Sequence, residues 1–341
     1  MSILIATSGG VDSSVTAYLM SKKHKICKGA TMILCSNTGV NDAKLICDKL
    51  GIEFEVLDYV REFDFNVIQR FIKVYESGGT PNPCIFCNKA MKFGKFLEHA
   101  HNENLEKIAT GHYVRLENDS GRYMLRKAKD LSRDQSYVLY MLSQEQLKCV
   151  EFPLGEFTKP EVREIAEELK FVNSKKSDSQ DICFVPDGNY AKFIEDYTGK
   201  EYKSGNFVDT SGKILGTHKG IIHYTVGQRR GLGVAAKTRL YISKIDTENN
   251  TIILNSEDEG NLSTRKIIAE EINFIPFDRL PENFNAKVKV RYRQNEIPAT
   301  INQINENKIL IEFHEDIKTP ARGQSAVIYD NDYVIGGGII L

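Results

Sequence analysis

The sequence predicts an α/β protein: a parallel N-terminal sheet, then a small β domain and a C-terminal β-barrel. Three observations carry that expectation. Apolar strand-like runs alternate with amphipathic helical runs through the first half. A glycine-rich turn, Ser8-Gly9-Gly10-Val11-Asp12-Ser13-Ser14, directly follows the first apolar run. Near residue 200 the helical periodicity stops, and short strands with Gly, Asn and Asp turns take over. Alternating strands and helices build parallel sheets covered by helices on both faces. Such sheets bind ligands at the carboxyl ends of their strands.

Strands are expected at 3–7, 29–35, 53–58 and 107–111, and helices near 13–22, 41–50, 62–77 and 89–104. Val11, Val15, Tyr18 and Leu19 recur at helical spacing. Gly51 suits the left-handed residue that closes a helix. Residues 134–142 and 158–170 also read as helices, the second opened by the capping box Thr158-Lys159-Pro160-Glu161. The polar stretch from Asn173 to Asp181 leads into Ile182-Cys183-Phe184-Val185. Asp209-Thr210-Ser211-Gly212 and Glu248-Asn249-Asn250 separate strand-like runs as hairpin turns do. Five or six further short strands are expected from about 264. The chain therefore divides at 1–199, 200–262 and 263–341.

The opening turn is built to hold phosphate. Its two glycines let the backbone approach a ligand closely, and Ser13 and Ser14 add hydroxyls where a helix begins. A helix N-terminus favours an anion. The pattern is not a Walker A loop, because no lysine stands in the turn. A bare strand-Gly-Gly-helix turn is often only a tight corner, but the whole heptapeptide resembles the PP-loop of ATP pyrophosphatases. Those enzymes split ATP into AMP and pyrophosphate.

With 41% hydrophobic and 27% charged residues, the 341-residue chain has an ordinary globular composition. No apolar run approaches the roughly 20 residues of a membrane span, and no secretory segment precedes the first strand. The expectation is a cytoplasmic protein without a membrane partner. A net charge of −1 argues mildly against a nucleic-acid binder. Local clusters soften that: Lys89, Lys92 and Lys95; Arg229 and Arg230 in a glycine-rich loop; Arg291 and Arg293 on an expected strand.

Seven cysteines stand at irregular spacing. Cys27, Cys35, Cys47 and Cys149 sit among apolar residues and are expected to be small core residues. Two prolines stiffen the approach to Cys84-Ile85-Phe86-Cys87. A helix expected near Asn88, together with Lys89 and Lys92, would favour a Cys87 thiolate. Three chemistries stay open on the residues alone. They are structural zinc completed by Cys183 and a histidine, a thioredoxin-like redox pair, and sulfur transfer or an iron–sulfur site at Cys84, Cys87 and Cys183.

Further motifs follow the turn in order: Pro81-Asn82-Pro83, Ala109-Thr110-Gly111-His112-Tyr113, Asp134-Gln135-Ser136-Tyr137, Asp178-Ser179-Gln180-Asp181-Ile182-Cys183-Phe184 and Gly227-Gln228-Arg229-Arg230-Gly231-Leu232-Gly233. With them the chain closely resembles the tRNA-specific 2-thiouridylases. The resemblance continues to Gly323-Gln324-Ser325-Ala326-Val327 and the final Gly336-Gly337-Gly338. It implies an ATP-binding catalytic domain first and an RNA-binding barrel last. The reaction implied is ATP-dependent 2-thiolation of a tRNA uridine, at the wobble position, with Mg2+ accompanying ATP.

The same resemblance implies phosphate contacts from Ala6, Thr7, Ser8, Gly9, Gly10, Val11, Asp12 and Ser13, with Gly111 near the nucleotide and Met32 beside the adenine. It gives Cys183 a persulfide, received from a cysteine desulfurase or sulfur-relay protein, and makes Cys87 a nucleophile that forms a disulfide. Asn82, Pro83 and Cys84 match the segment beside the target base. His112, Arg133, Asp134, Gln135, Arg291, Tyr292 and Gln324 match tRNA-contacting positions.

Two departures bear on these expectations. The common family pattern has aspartate where this chain has Cys84. The set Cys84, Cys87 and Cys183 instead matches a variant subgroup similar to iron–sulfur thiolases, which implies a [4Fe-4S] cluster ahead of persulfide–disulfide chemistry. After Met32, the segment Ile33-Leu34-Cys35-Ser36-Asn37-Thr38-Gly39 is shorter than the family's, and the chain has no tryptophan. Another RNA, such as ribosomal RNA, is therefore an alternative substrate. A nucleotide- and RNA-binding iron–sulfur sensor without turnover is an alternative of another class.

Overall fold

The structure is a computed structural model that describes residues 2–36, 39–176, 182–256 and 263–341. Asn37, Thr38 and the Asp178-to-Asp181 part of the cysteine motif lie outside the described residues.

The first sheet is parallel throughout. It contains β1 (Ser2–Ala6), β2 (Ile26–Ile33), β3 (Glu53–Asp58), β4 (Lys107–Ala109) and β7 (Val150–Glu151), in the order β3-β2-β1-β4-β7. Ile3, Leu4 and Ile5 are fully buried, as a central strand covered on both faces requires. The chain builds outward from β1 through β2 and β3, then returns to the other side of β1 with β4. That reversal opens a crevice beyond the carboxyl ends of β1 and β4, where such sheets bind ligands. Helix α1 (Val11–Lys23) starts in this crevice.

Between β4 and β7 lies a hairpin, β5 (Val114–Asp119) with β6 (Arg122–Lys127), absent from the sequence reading. It joins the C-terminal sheet rather than the first one. The helix expected at 134–142 is reduced to one 3-10 turn, Ser136–Val138. Tertiary partners replace the helical ladder there. Asn273 Nδ2 donates to the carbonyls of Tyr140 (2.7 Å) and Leu142 (3.1 Å). The Tyr137 hydroxyl donates to Ser325 O at 2.7 Å, and the Tyr140 hydroxyl meets Ser325 Oγ at 3.0 Å. Tyr137 to Leu142 are all buried, so the segment is a core strap between sheet and barrel.

The middle of the chain forms β8 (Gly205–Val208), β9 (Ile214–His218), β10 (Leu240–Asp246) and β11 (Thr251–Ser256), in the order β10-β11-β8-β9. Its core is Phe207, Tyr224, Leu232, Ile242, Ile252 and Leu254. Both expected hairpin turns fall where the sequence placed them.

The last six strands are β12 (Ser263–Phe274), β13 (Phe284–Lys289), β14 (Ile297–Asn305), β15 (Lys308–Lys318), β16 (Ser325–Asp330) and β17 (Tyr333–Ile340). β12 pairs with β15 through its first half and with β17 through its second, closing the barrel. The register shifts between Glu270 and Asn273, and Glu271 has φ 51°. A bulge of this kind bends a strand sharply enough to join two partners. Arg291 and Arg293 do not alternate on a strand. They occupy the β13–β14 turn, closed by Gln294 N donating to Arg291 O.

All three parts of the chain meet at residues 78–80. Thr80 N donates to Arg322 O at 2.7 Å, and Gln324 Nε2 donates to Thr80 O at 2.7 Å. The Thr80 hydroxyl meets that of Thr225 at 3.2 Å. This junction immediately precedes Asn82 and Cys84.

Candidate nucleotide and sulfur site

The phosphate turn is held by its own side chains. Ser13 Oγ accepts from Ser8 N at 3.1 Å and donates to Gly10 O at 3.0 Å. Asn173 Nδ2 donates to Gly9 O (3.0 Å) and Ser14 Oγ (2.8 Å). Its Oδ1 is buried without a partner among the described residues. No side chain caps the start of α1, so its first-turn N–H groups are left for a ligand anion. Thr7 N extends the β1 pairing to Ala30 O, while Ala6 ends β1 and Met32 lies one residue before the end of the adjacent β2. Gly111, after β4, lies on the first turn of α1; a Cβ there would sit 3.1 Å from Asp12 C.

Asp12 is committed within the protein. It accepts from Lys159 Nζ at 2.8 and 2.9 Å and from the Tyr113 hydroxyl at 2.7 Å. The sequence reading missed Lys159, because its capping box looked like a purely local device. It also missed Asn173 and Tyr113, which reach the turn only through tertiary packing.

Gly9 has φ +71° and faces Gly39; a Cβ on Gly9 would lie 2.2 Å from Gly39 O. Gly9→Ala is therefore expected to displace the turn and weaken ATP binding at least about tenfold, the scale of 1–3 kcal/mol strain at a special backbone position. Titration calorimetry checks this, and wild-type affinity in the variant would contradict it.

The helix that carries the sulfur site starts ahead of the position expected near Asn88. The helix over 83–102 begins at Pro83, and its cap is Asn82, whose Oδ1 accepts from Cys84 N at 3.2 Å. Cys84 thus lies in the first turn and Cys87 in the next. Cys87 is 8% exposed, and burial pushes its thiol up to about 12 against the opposing pull of Lys92. The expected low-pKa thiolate at Cys87 is not found, since desolvation outweighs the nearby cation. Cys84 is open to solvent yet crowded by protein, and that crowding raises its thiol too.

Cys35 overturns another expectation. Cys27, Cys47 and Cys149 are at least half-buried, but Cys35 is exposed. Its Sγ donates to the Cys183 carbonyl at 3.7 Å. Interaction with the neighbouring thiol lowers Cys35, while the same interaction and burial hold Cys183 up. Lys92 is within electrostatic reach of Cys84, Cys87, Cys183 and His112. Three thiols therefore surround one ammonium, with Cys35 against Cys183, and His112 ties the same ammonium to Gly111 on the phosphate turn.

Among the described residues, no three His, Cys, Asp or Glu side chains converge as metal ligands. The donors do not fit zinc at Cys183 with a histidine. Cys84, Cys87 and Cys183 are not gathered into such a ligand set.

Several residues expected to touch RNA gather at the rim. The exposed Tyr292 donates its hydroxyl to Asp134 O at 3.0 Å and lies near Cys84, Arg133 and Arg293. Gln135 Oε1 accepts from Tyr113 N at 2.9 Å. Arg291 packs its guanidinium over Gly227, 3.1 Å from where a Cβ would be, in the loop that exposes Arg229 and Arg230. Pro83 is buried, and Gln324 is engaged with Thr80. His112 departs from expectation. It is 6% exposed, bonded to Thr110 Oγ1 at 2.8 Å and packed against Phe93 and Phe152. Burial and Lys92 hold its pKa well below the usual histidine range, so it is a neutral core residue beneath the cleft.

A parallel sheet with a phosphate turn at its switch point, followed by two β domains, defines a nucleotide-binding HUP-type protein with appended barrels. The tRNA methyl transferase HUP domain family matches residues 1–187, its PRC-barrel domain family residues 191–256, and the aminomethyltransferase beta-barrel domain family residues 264–340. Relatives agree along the whole chain. The tRNA-specific 2-thiouridylase MnmA of Clostridioides difficile is 43% identical, covering 99% of this chain and 97% of that one. That of Acetivibrio thermocellus is 43% identical, covering 99% and 98%. A solved 4-thiouridine synthetase–RNA complex with bound ATP is 17% identical at TM-score 0.36, covering 57% of this chain and 50% of that one, a likeness too small to bear on function. The chain belongs to the tRNA-specific 2-thiouridylase family.

Proposed function

We propose that this protein is an ATP-dependent sulfurtransferase that converts a tRNA uridine, at the wobble position, to 2-thiouridine. The observation that carries the reading is the uncapped phosphate turn tied to the cysteine cluster through Lys92. That ammonium reaches Cys84, Cys87 and Cys183 and also His112, beside Gly111 on the turn. The chain is 43% identical to 2-thiouridylases over nearly its full length. A uracil C2 carbonyl is unreactive and its oxygen leaves badly. Attack of that oxygen on the ATP α-phosphate expels pyrophosphate and leaves an adenylated base. A sulfur nucleophile then adds at C2, and AMP departs with the oxygen.

Ala6 to Ser13 and Gly111 hold the phosphates, with Met32 at the adenine side. Backbone N–H groups at the start of α1 meet the developing charge without reorganising. Mg2+ enters with the triphosphate, as is usual for nucleotide substrates. Asp12, the single carboxylate of the turn, already binds Lys159 and Tyr113. Cys183 carries the sulfur, delivered by a persulfide donor. Cys84 and Cys87 line the base pocket, where Lys92 favours any thiolate. Arg133, Tyr292 and Arg291 face the RNA. A reactive uridine has to leave its stack to enter the cleft. A cytoplasmic location follows from a tRNA substrate, and no helix among the described residues is long and apolar enough to cross a membrane.

A tRNA transcript, ATP and a persulfide donor test the reading. AMP, pyrophosphate and 2-thiouridine are expected in equal amounts. Thiolation without AMP, or AMP without thiolation, would contradict it.

A further inference from the structure

We propose that Cys35 resolves the sulfur carried on Cys183, closing a Cys35–Cys183 disulfide as the sulfur leaves. The inference rests on the reading of Cys183 as the sulfur carrier. Cys35 is the thiol placed against Cys183: its Sγ donates to the Cys183 carbonyl at 3.7 Å. Both side chains are exposed to the cleft, whereas Cys87 is buried at 8% exposure. The segment that carries Cys35 also carries Gly39, against which Ser8 O of the phosphate turn packs.

The step balances without an added oxidant. The Cys35 thiolate attacks the inner sulfur of the Cys183 persulfide. The Cys35–Cys183 bond forms, the sulfur–sulfur bond of the persulfide breaks, and its electron pair leaves on the terminal sulfur as hydrosulfide. The disulfide stores the oxidising equivalent that the persulfide brought in. An external dithiol then reduces it to two thiols and is itself oxidised to a disulfide. With Cys35 Sγ already 3.7 Å from the Cys183 carbonyl, closing the bond requires the two side chains to turn toward each other until the sulfurs are about 2 Å apart.

The test uses the full-length protein, anaerobic, with glutathione persulfide and neither ATP nor tRNA. Free thiols are alkylated, and peptides are read by mass spectrometry. The wild type should release one hydrosulfide per Cys35–Cys183 disulfide. Cys35→Ser and Cys35→Ala should keep the persulfide on Cys183 and release hydrosulfide at least about tenfold more slowly. Three results would overturn the proposal: hydrosulfide release by both variants at the wild-type rate, a Cys87–Cys183 disulfide in the wild type, or no persulfide on Cys183 in the variants. The same preparations are then given ATP, tRNA and inorganic sulfide, which bypasses resolution. Failure of all of them to form 2-thiouridine would overturn the proposed function instead.

Discussion

Cys183→Ser is expected to abolish 2-thiouridine formation from a persulfide donor, a loss of roughly 10³-fold or more, as when an enzyme loses its nucleophile. A serine hydroxyl cannot accept a sulfane sulfur. ATP binding should stay near wild type, because the phosphate turn is held by Ser8, Ser13 and Asn173, not by Cys183. Nucleoside mass spectrometry reads the first effect and calorimetry the second. Ordinary 2-thiouridine levels in the variant would remove Cys183 from the chemistry.

Asp12→Ala is expected to be nearly as severe, for another reason. Lys159 is 5% exposed and hydrogen-bonds both Asp12 carboxylate oxygens. Truncating Asp12 removes both of these bonds from the ammonium and unfastens the first turn of α1 from Tyr113. Removing one partner of a fully buried pair costs about 3–5 kcal/mol. Asp12 is 32% exposed, so roughly 2–3 kcal/mol is the more realistic loss here. AMP release should fall about 100-fold, the scale expected when reacting groups are misplaced by about 1 Å. Denaturant midpoints and AMP assays check the two halves separately. A variant with wild-type AMP release would show that the turn does not need Asp12.

What was legible in the sequence is local. The run from Ser8 to Ser14 announces its geometry through glycine, hydroxyl and helical spacing, and α1 starts within two residues of expectation. The hairpin β5–β6 also carried a signal, Asn118-Asp119-Ser120-Gly121 between two strand-like runs, which the strand–helix alternation masked. The failures are tertiary. Residues 134–142 have helical composition, but Asn273 and Ser325 take their polar groups. Cys35 sits in a sequence with the texture of a core strand end. Its exposure and its partner depend on Cys183, 148 residues away. Cys87 was expected to be acidic from nearby charge, and burial reversed the sign.

The most direct measurement follows one oxygen atom. A tRNA transcript carrying 18O at uracil O2 is thiolated in a single turnover, and the AMP is analysed by mass spectrometry. Activation of the carbonyl by nucleotide at the phosphate turn should place one 18O in AMP for each 2-thiouridine formed. Unlabelled AMP alongside 2-thiouridine would mean that the base is never adenylated.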